Sequence, residues 1–207
     1  MKSPPQPAPR GRPPTITRER IADAGIAMGL RNITFVGLAA ALGVSHMALY
    51  KHVASLDALK RLVAEEIFKR WEIPQAQGHD PSGLRDYLGM FTESIREFVK
   101  AHPGLTPYVL RRLAAAPSVI DKIQSHQSHI AEAYGIPIAR AQWLLATVAF
   151  HGIAVADTIY SVAGLEPVVD ADRAAEEAEM EVEYAQGMNA LIAGALSMHS
   201  TSVLKRG

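Results

Sequence analysis

The sequence predicts an all-α protein of about nine helices. Apolar residues recur at three- and four-residue spacing through most of the chain, and no segment alternates apolar and polar residues as a strand would. Ser, Thr, Gly and Pro residues stand where helices of ordinary length would begin and end. The 207 residues are 48% hydrophobic, which is enough to bury the core of one large or two small domains.

Residues 1–14 contain six prolines and three basic residues, so they cannot form a helix. We interpret them as a mobile basic arm. Arg10 and Arg12 would suit the strong negative potential of a DNA minor groove, and a solubilising tail is the alternative.

Three short helices are predicted next, each with a capping residue. Thr17 caps a first helix that Gly29 closes, and Thr34 caps a second helix over residues 35–42. Gly43 gives the backbone freedom to stop that helix, and Ser45 is placed to accept from the amide of residue 47 or 48. Leu38 and Leu42, like Leu49 and Val53, lie four residues apart, which puts each pair on one helix face. This spacing predicts a helix-turn-helix corner.

The solvent side of the third helix is crowded with groups that can bind DNA. Its first residues are small or medium-sized and could touch base edges in a major groove. Its last residues, Tyr50, Lys51 and His52, carry groups suited to phosphate oxygens.

The stretch GVSHMALYKHVASLDAL, from Gly43 to Leu59, resembles the recognition-helix signature of TetR-family transcriptional regulators. The resemblance covers residues 15–65, and beyond them it is only architectural. It implies that the positions matching His46, Met47, Ala48, Tyr50 and Lys51 face the operator and that His52 contacts the DNA backbone. The sequence departs from the family at Leu56, where a Lys is frequent, and near Val36. With the arm and the two helix caps, the predicted DNA contacts are Arg10, Arg12, Thr34, Ser45, His46, Met47, Ala48, Tyr50, Lys51 and His52.

Ser55 is predicted to cap a fourth, amphipathic helix that runs to Trp71 and ends before Pro74. We therefore place a helix-turn-helix DNA-binding domain at 15–72 and a C-terminal ligand-binding and dimerisation domain at 73–207, joined by the Pro- and Gly-containing linker 73–83. The predicted helices of the second domain cover about 82–101, 105–115, 117–134, 138–162 and 174–198, with a mobile loop at 165–172. The helix over 138–162 is apolar on nearly all sides, which predicts that both its faces are buried.

The zero net charge hides an asymmetry between the two domains. Residues 1–72 hold eleven Lys and Arg against six Asp and Glu, and the remainder holds ten against fifteen. We call the DNA-binding domain (15–72) the head and the C-terminal domain (73–207) the body. A basic head on an acidic body is typical of a DNA-binding protein with a second task. The sequence shows no apolar signal-peptide core, no run of eighteen apolar residues and no cysteine, so we expect a cytoplasmic protein without a membrane span.

Aromatic and isolated polar residues of the middle helices predict a mostly apolar small-molecule pocket. The resemblance places inducers in this region. The candidate ligand residues are Phe91, Phe98, Tyr108, Trp143, Thr147, Phe150 and His151, and ordinary core packing is the alternative for each of them.

The last two helices carry small residues at helical spacing, which allows close approach. We predict a symmetric four-helix dimer interface that uses Ala149, Gly152, Ala156, Gly187, Ala190 and Gly194. A homodimer suits a head that reads two half-sites of a palindromic operator. Packing of both helices inside one monomer is the alternative.

We expect neither a cofactor nor a metal site. His126 and His129 have a spacing that could bind a metal, but the sequence offers no third ligand, so we interpret them as part of a solvated face. The sequence contains no nucleophile elbow, P-loop, dinucleotide fingerprint or zincin motif, which argues against the alternative of an enzyme. We therefore expect a ligand-responsive transcriptional regulator, most simply a repressor that a small, largely apolar molecule releases. The alternative is a DNA-binding regulator whose body serves only dimerisation or protein docking.

Overall fold

The computed structural model describes residues 16–76, 83–110, 116–161 and 172–198. Within these ranges the chain forms helices and no strand. The helices are α1 (Arg18–Met28), α2 (Phe35–Leu42), α3 (His46–Tyr50), α4 (Leu56–Arg70), α5 (Leu84–Ala101), α6 (Thr106–Val109), α7 (Pro117–Ala133), α8 (Ile138–Ser161) and α9 (Arg173–Ser197). The all-α prediction is confirmed.

The predicted N-caps of the first four helices are confirmed. Thr17 accepts from the Arg20 amide, Thr34 from the Gly37 amide and Ser55 from the Ala58 amide. Each cap satisfies one amide that the first helical turn leaves without a partner. Gly43 ends α2 in the left-handed region at φ 67°, so its backbone amide can reach the carbonyls of α2.

The middle of the body differs from its predicted outline. The helix expected over 105–115 is only the single turn α6, and residues 111–115 lie outside the described residues. The predicted arm at 1–14 also lies outside them, as does nearly all of the loop predicted at 165–172.

Two clusters of buried apolar residues hold the fold together. One cluster joins the inner faces of the four long helices of the body, α5, α7, α8 and α9, and includes Tyr87, Ile95 and Leu144. The other fills the space between α1, α2, α3 and α4 and also takes in Phe98, Leu105 and Val119 from the body. Body residues thus complete the core of the head, so the two halves share apolar packing.

Helix α8 lies in the centre of the body but is not buried on all sides, contrary to the prediction. Nine of its residues are buried, whereas Trp143, Phe150 and Val155 are 38%, 55% and 41% exposed on its outer face. Its length and mean hydropathy of 1.4 would fit a membrane span by composition alone, and a core helix of a globular protein has the same composition. The exposed apolar face is therefore a surface that needs an explanation.

Candidate nucleic-acid interface and cavity

Helix α3 is presented at the surface by a corner that the sequence specifies residue by residue. The Val44 amide donates to the Ala39 carbonyl at 3.0 Å, and the Ser45 hydroxyl accepts from the Ala48 amide at 3.2 Å. Leu49 is fully buried and anchors the helix from below. These contacts fix one face of α3 and leave the opposite face to the solvent.

The outer face of α3 carries most of the predicted DNA contacts. Met47 is 63% exposed and Tyr50 is 47% exposed, although both are large and apolar or amphipathic. Ser45, His46, Lys51 and His52 are also exposed, and Ala48 is half-buried. The ring of Tyr50 stacks on Phe35 of α2 at 4.3 Å, which holds this side chain against the corner. The structure thus brings these residues together on one surface of the head.

Of the other three predicted DNA contacts, Thr34, Arg10 and Arg12, the structure describes only Thr34. Thr34 is exposed at the start of α2, where its hydroxyl is 3.0 Å from the Gly37 amide. Arg10 and Arg12 lie outside the described residues. Val36 and Leu56, the two apolar departures from the TetR pattern, are 73% and 40% exposed at the same corner. Such exposed apolar side chains fit contacts with thymine methyl groups better than contacts with phosphates.

Helix α4 connects the head to the body through two polar contacts with α7. Near its middle, Glu65 accepts from the Ser118 hydroxyl at 2.7 Å and pairs with Arg18 of α1 at 2.6 Å. At its end, the Lys122 ammonium donates to the carbonyls of Phe68, Lys69 and Trp71 at 3.1, 2.8 and 2.5 Å. A cation at the carbonyl end of a helix also offsets the helix dipole. Helix α7 therefore holds the end of α4 at three backbone oxygens.

Replacing Lys122 with methionine is expected to lower the free energy of unfolding by about 1–3 kcal/mol, because three carbonyls lose their charged donor and two of these hydrogen bonds are partly buried. Methionine keeps the length of the side chain, so the change isolates the ammonium group. Urea denaturation measures the effect. Lys69→Met on the exposed side of α4 is the control, with an expected loss below about 1 kcal/mol. Equal losses in the two variants would show that the three hydrogen bonds from Lys122 stabilise the fold no more than an exposed lysine does.

A cavity of about 480 Å³ lies between the end of α4 and helices α5, α7 and α8. Of the seven predicted ligand residues, Phe91, Trp143, Thr147, Phe150 and His151 line it. The sequence analysis missed several other wall residues, namely Phe68, Trp71, Ile73, Val109, Leu110, Ile123, His126, Gln127, Leu145, Ala146, Ala149 and Ile153. These residues come from several different helices, so no local sequence pattern reveals that they line one cavity.

Two predicted ligand residues do not line this cavity. Phe98 is buried behind its wall, with its ring stacked on the indole of Trp71 at 4.4 Å. Tyr108 lines a separate groove between α4 and α7 that also includes Arg61. Phe98 is therefore corrected to a packing residue between head and body, and Tyr108 to a residue of that second groove.

His126 is buried, so its interpretation as part of a solvated face is wrong. It is 9% exposed, and its Nε2 atom lies 2.6 Å from the hydroxyl of the fully buried Tyr87. Burial, with His129 and Lys122 nearby, lowers the pKa of His126 to about 4, so the ring is neutral at pH 7. Burial raises the pKa of Tyr87, which stays a protonated hydroxyl. His129 is exposed, as expected.

The lowered pKa of His126 predicts a loss of stability in weak acid. Between pH 6.5 and about 4 the unfolded chain takes up a proton at this position and the folded chain does not. Stability is therefore complete above pH 6.5 and falls as the pH drops through this range, by at most about 1.4 kcal/mol per pH unit. Urea denaturation at several pH values should show a steeper fall for the native protein than for His126→Gln. If stability fell equally with pH in both proteins, His126 would not be the group responsible for the loss.

The six small residues predicted at a dimer interface fall into two groups. Gly152 and Ala156 are buried inside the protomer, and a Cβ at Gly152 would meet Tyr184, Ile95 and Met188 at 3.3–3.5 Å. Ala149 is partly buried against the same core. These three positions serve packing within the chain, because α5 and α9 approach α8 there. Gly187, Ala190 and Gly194 are exposed on α9, where a Cβ at either glycine would meet nothing within 4 Å.

Comparison with known proteins supports this description. No family model matches the sequence. The chain is 28% identical over 119 residues to the HTH-type transcriptional repressor DrrR1 of Streptomyces coeruleorubidus, a match that covers 56% of the chain and 43% of that protein. The chain thus spans less than half the length of this relative.

Solved structures resemble the fold over most of the chain. The TetR family protein ActR of Streptomyces coelicolor, in complex with actinorhodin, aligns with a TM-score of 0.63 at 18% identity and covers 89% of this chain and 97% of ActR. BioQ bound to its double-stranded DNA operator aligns with a TM-score of 0.55 at 18% identity, over 85% of this chain and 99% of BioQ.

The fold and the corner formed by α2 and α3 define a helical protein with an N-terminal helix-turn-helix head. More particularly, the chain has the fold of TetR-family regulators, as the resemblance of residues 15–65 implied.

Proposed function

We propose that the chain is a transcriptional repressor that binds a palindromic DNA operator as a homodimer in the cytoplasm and is released by a small, largely apolar molecule. The observation that carries this proposal is the outer face of α3, where His46, Met47 and Lys51 are exposed while Leu49 anchors the helix. An exposed methionine beside cationic and hydroxyl groups suits the mixture of methyl groups, base edges and phosphates in a major groove. The proposed activity is binding, not catalysis.

Dimerisation is supported by the exposed faces of α8 and α9. Val155 on α8 and Val182 on α9 are more than 40% exposed, and α9 adds the exposed Gly187, Ala190 and Gly194. Two copies packed through these faces would hide the apolar surface and form a symmetric interface. The same twofold axis would set two recognition helices on half-sites one or more DNA turns apart.

Release by an effector is supported by what lies at the wall of the cavity. Trp71 follows the last residue of α4, lines the cavity and offers its carbonyl to Lys122 of α7. An effector in the cavity therefore contacts the end of the helix that leads to the head. It shifts the spacing of the two recognition helices only as far as it prefers one arrangement of α4 over the other.

The structural relatives support both halves of the proposal. ActR has been solved with actinorhodin bound and BioQ with its DNA operator, and DrrR1 carries the name of a transcriptional repressor. The alternative function, a DNA-binding regulator whose body serves only dimerisation or protein docking, predicts that no small molecule changes operator affinity.

Selection from a library of random DNA duplexes tests the proposal directly. The full-length protein should enrich a palindrome whose half-site centres lie one or more helical turns apart. A screen of small molecules against the selected duplex then separates the two functions, because only the ligand-responsive repressor loses affinity when an effector is added. Enrichment of no sequence after repeated rounds would contradict the proposal.

A further inference from the structure

The cavity beside α4 is unusually aromatic. The chain has two tryptophans, Trp71 and Trp143, and both line this cavity together with Phe68, Phe91 and Phe150. No Asp, Glu, Lys or Arg among the described residues lines it. Its volume of about 480 Å³ falls within the range of sites for small organic molecules. The wall thus favours a flat, uncharged molecule with extensive π surface.

Both indole rings are held before any ligand binds. The Trp71 ring stacks on Phe98 on one side, and its Nε1 donates to the Ser94 hydroxyl at 3.0 Å. The Trp143 ring lies under the Arg140 guanidinium at 4.9 Å, and Arg140 itself donates to the Ala195 carbonyl at 2.8 Å. Rings that are already fixed lose little conformational entropy when an aromatic ligand stacks on them.

The polar side chains that line the cavity are Gln127, Thr147 and two histidines, His126 and His151. The hydroxyl of Tyr87 is buried 2.6 Å from His126 Nε2, and if this hydroxyl donates to Nε2, the neutral His126 ring carries its proton on Nδ1. The Nδ1 atom of His126 has no hydrogen-bond partner among the described residues. At the exposed side, the Nδ1 of His151 donates to the Thr147 carbonyl at 2.8 Å, which leaves Nε2 of His151 as an acceptor.

We propose that this cavity binds a flat, uncharged aromatic molecule bearing a hydroxyl or carbonyl oxygen, stacked against Trp143, with His126 donating to the oxygen. The inference rests on the proposed function, since it names the chemical class of the effector. It depends on the arrangement of the wall and not on the identity of the operator.

Calorimetric titration of the full-length protein with four probes of similar size tests the proposal. The probes are 1-naphthol, naphthalene, 1-naphthoate and 1-decalol, which differ in the oxygen, the charge and the aromaticity. We expect 1-naphthol to bind once per protomer and at least about fivefold more tightly than each of the others, because each of them lacks one feature that the wall recognises. Equal or tighter binding of 1-naphthoate or 1-decalol, or no binding of 1-naphthol, would overturn the proposal.

Variants locate the bound probe. Trp143→Leu, at a partly exposed position, should weaken 1-naphthol about three- to tenfold, whereas Tyr108→Leu, an aromatic change in the separate groove, should leave its affinity unchanged. His126→Leu should abolish the preference for 1-naphthol over naphthalene. Unchanged binding in Trp143→Leu would overturn the proposal even if His126→Leu failed to fold.

The outcomes also separate this inference from the proposed function. Selective binding of 1-naphthol by a protein that selects no DNA sequence would leave the cavity assignment standing and refute the repressor. Specific DNA binding without any binding of 1-naphthol would refute the cavity assignment and leave the DNA-binding head intact.

Discussion

Replacing His46 with alanine is expected to relax the sequence preference of the protein, whereas replacing Lys51 with alanine weakens binding to all DNA alike. His46 opens α3, where side chains reach base edges, and loss of one base contact costs about 1–3 kcal/mol for the correct sequence only. Lys51 follows α3 and suits a phosphate, so its loss should reduce the slope of log affinity against log salt by about 0.9. Fluorescence anisotropy with the selected duplex and a scrambled duplex measures both effects.

The His46→Ala and Lys51→Ala variants need controls for stability and for nonspecific loss of charge. Both side chains are exposed, so neither variant should alter the thermal unfolding curve. Lys100→Ala on α5, an exposed lysine of the body, should leave DNA affinity and its salt dependence unchanged. If His46→Ala lowered the affinity for both duplexes by the same factor, His46 would not be a base-reading residue.

Replacing Gly194 with arginine is expected to convert a dimer into a monomer and to lower operator affinity by at least about a hundredfold. Apart from the adjacent backbone of α9, a Cβ at Gly194 meets no atom of the described residues within 4 Å, so an arginine fits a lone protomer without strain. In a dimer packed through α9, the same side chain would bury a charge without a partner. Sedimentation equilibrium should give twice the chain mass of 22.4 kDa for the native protein and the single mass for the variant.

Gly89→Arg is the matched control for this change. Gly89 also lies in a helix, α5, and a Cβ there likewise meets nothing within 4 Å, but it lines the groove between α5 and α9 instead of the stripe of small residues. This variant should remain a dimer and bind the operator as the native protein does. A dimeric Gly194→Arg with full operator affinity would exclude this part of α9 from the interface.

The helical outline could be predicted because it depends on local signals. Thr17, Thr34, Ser45 and Ser55 each cap the helix that follows, since a side-chain oxygen three residues before a free amide needs no tertiary partner. Gly43 likewise sits where the left-handed conformation ends α2. The corner that presents α3 was therefore predictable almost residue by residue.

The tertiary assignments were harder, because the same pattern fits several environments. The spacing of Gly152 and Gly187 shows that another helix can approach closely, but not which helix does so. Gly152 faces its own α5 and α9, and Gly187 faces the solvent. His126 and His129 look alike in the sequence, and the packing of Tyr87 and Phe91 of α5 against His126 distinguishes them.

Trp71 illustrates the same limit for the cavity. In the sequence, Trp71 is the last apolar position of an amphipathic helix, and nothing local distinguishes a core residue from a cavity wall. Its role emerges from the position of α7, whose Lys122 holds the end of α4 and whose His126 lines the same space. The link between cavity and head thus depends on contacts far apart in the chain.

The central claim, that the chain is a dimeric reader of palindromic DNA, is tested most directly by one measurement. The full-length protein is titrated into the selected palindrome and into a scrambled duplex over a range of salt concentrations, with the mass of the complex determined in parallel. The account predicts two protomers per palindrome and an affinity at least about a thousandfold higher than for the scrambled duplex at physiological salt. Equal affinity for the two duplexes, or no binding even at low salt, would contradict it.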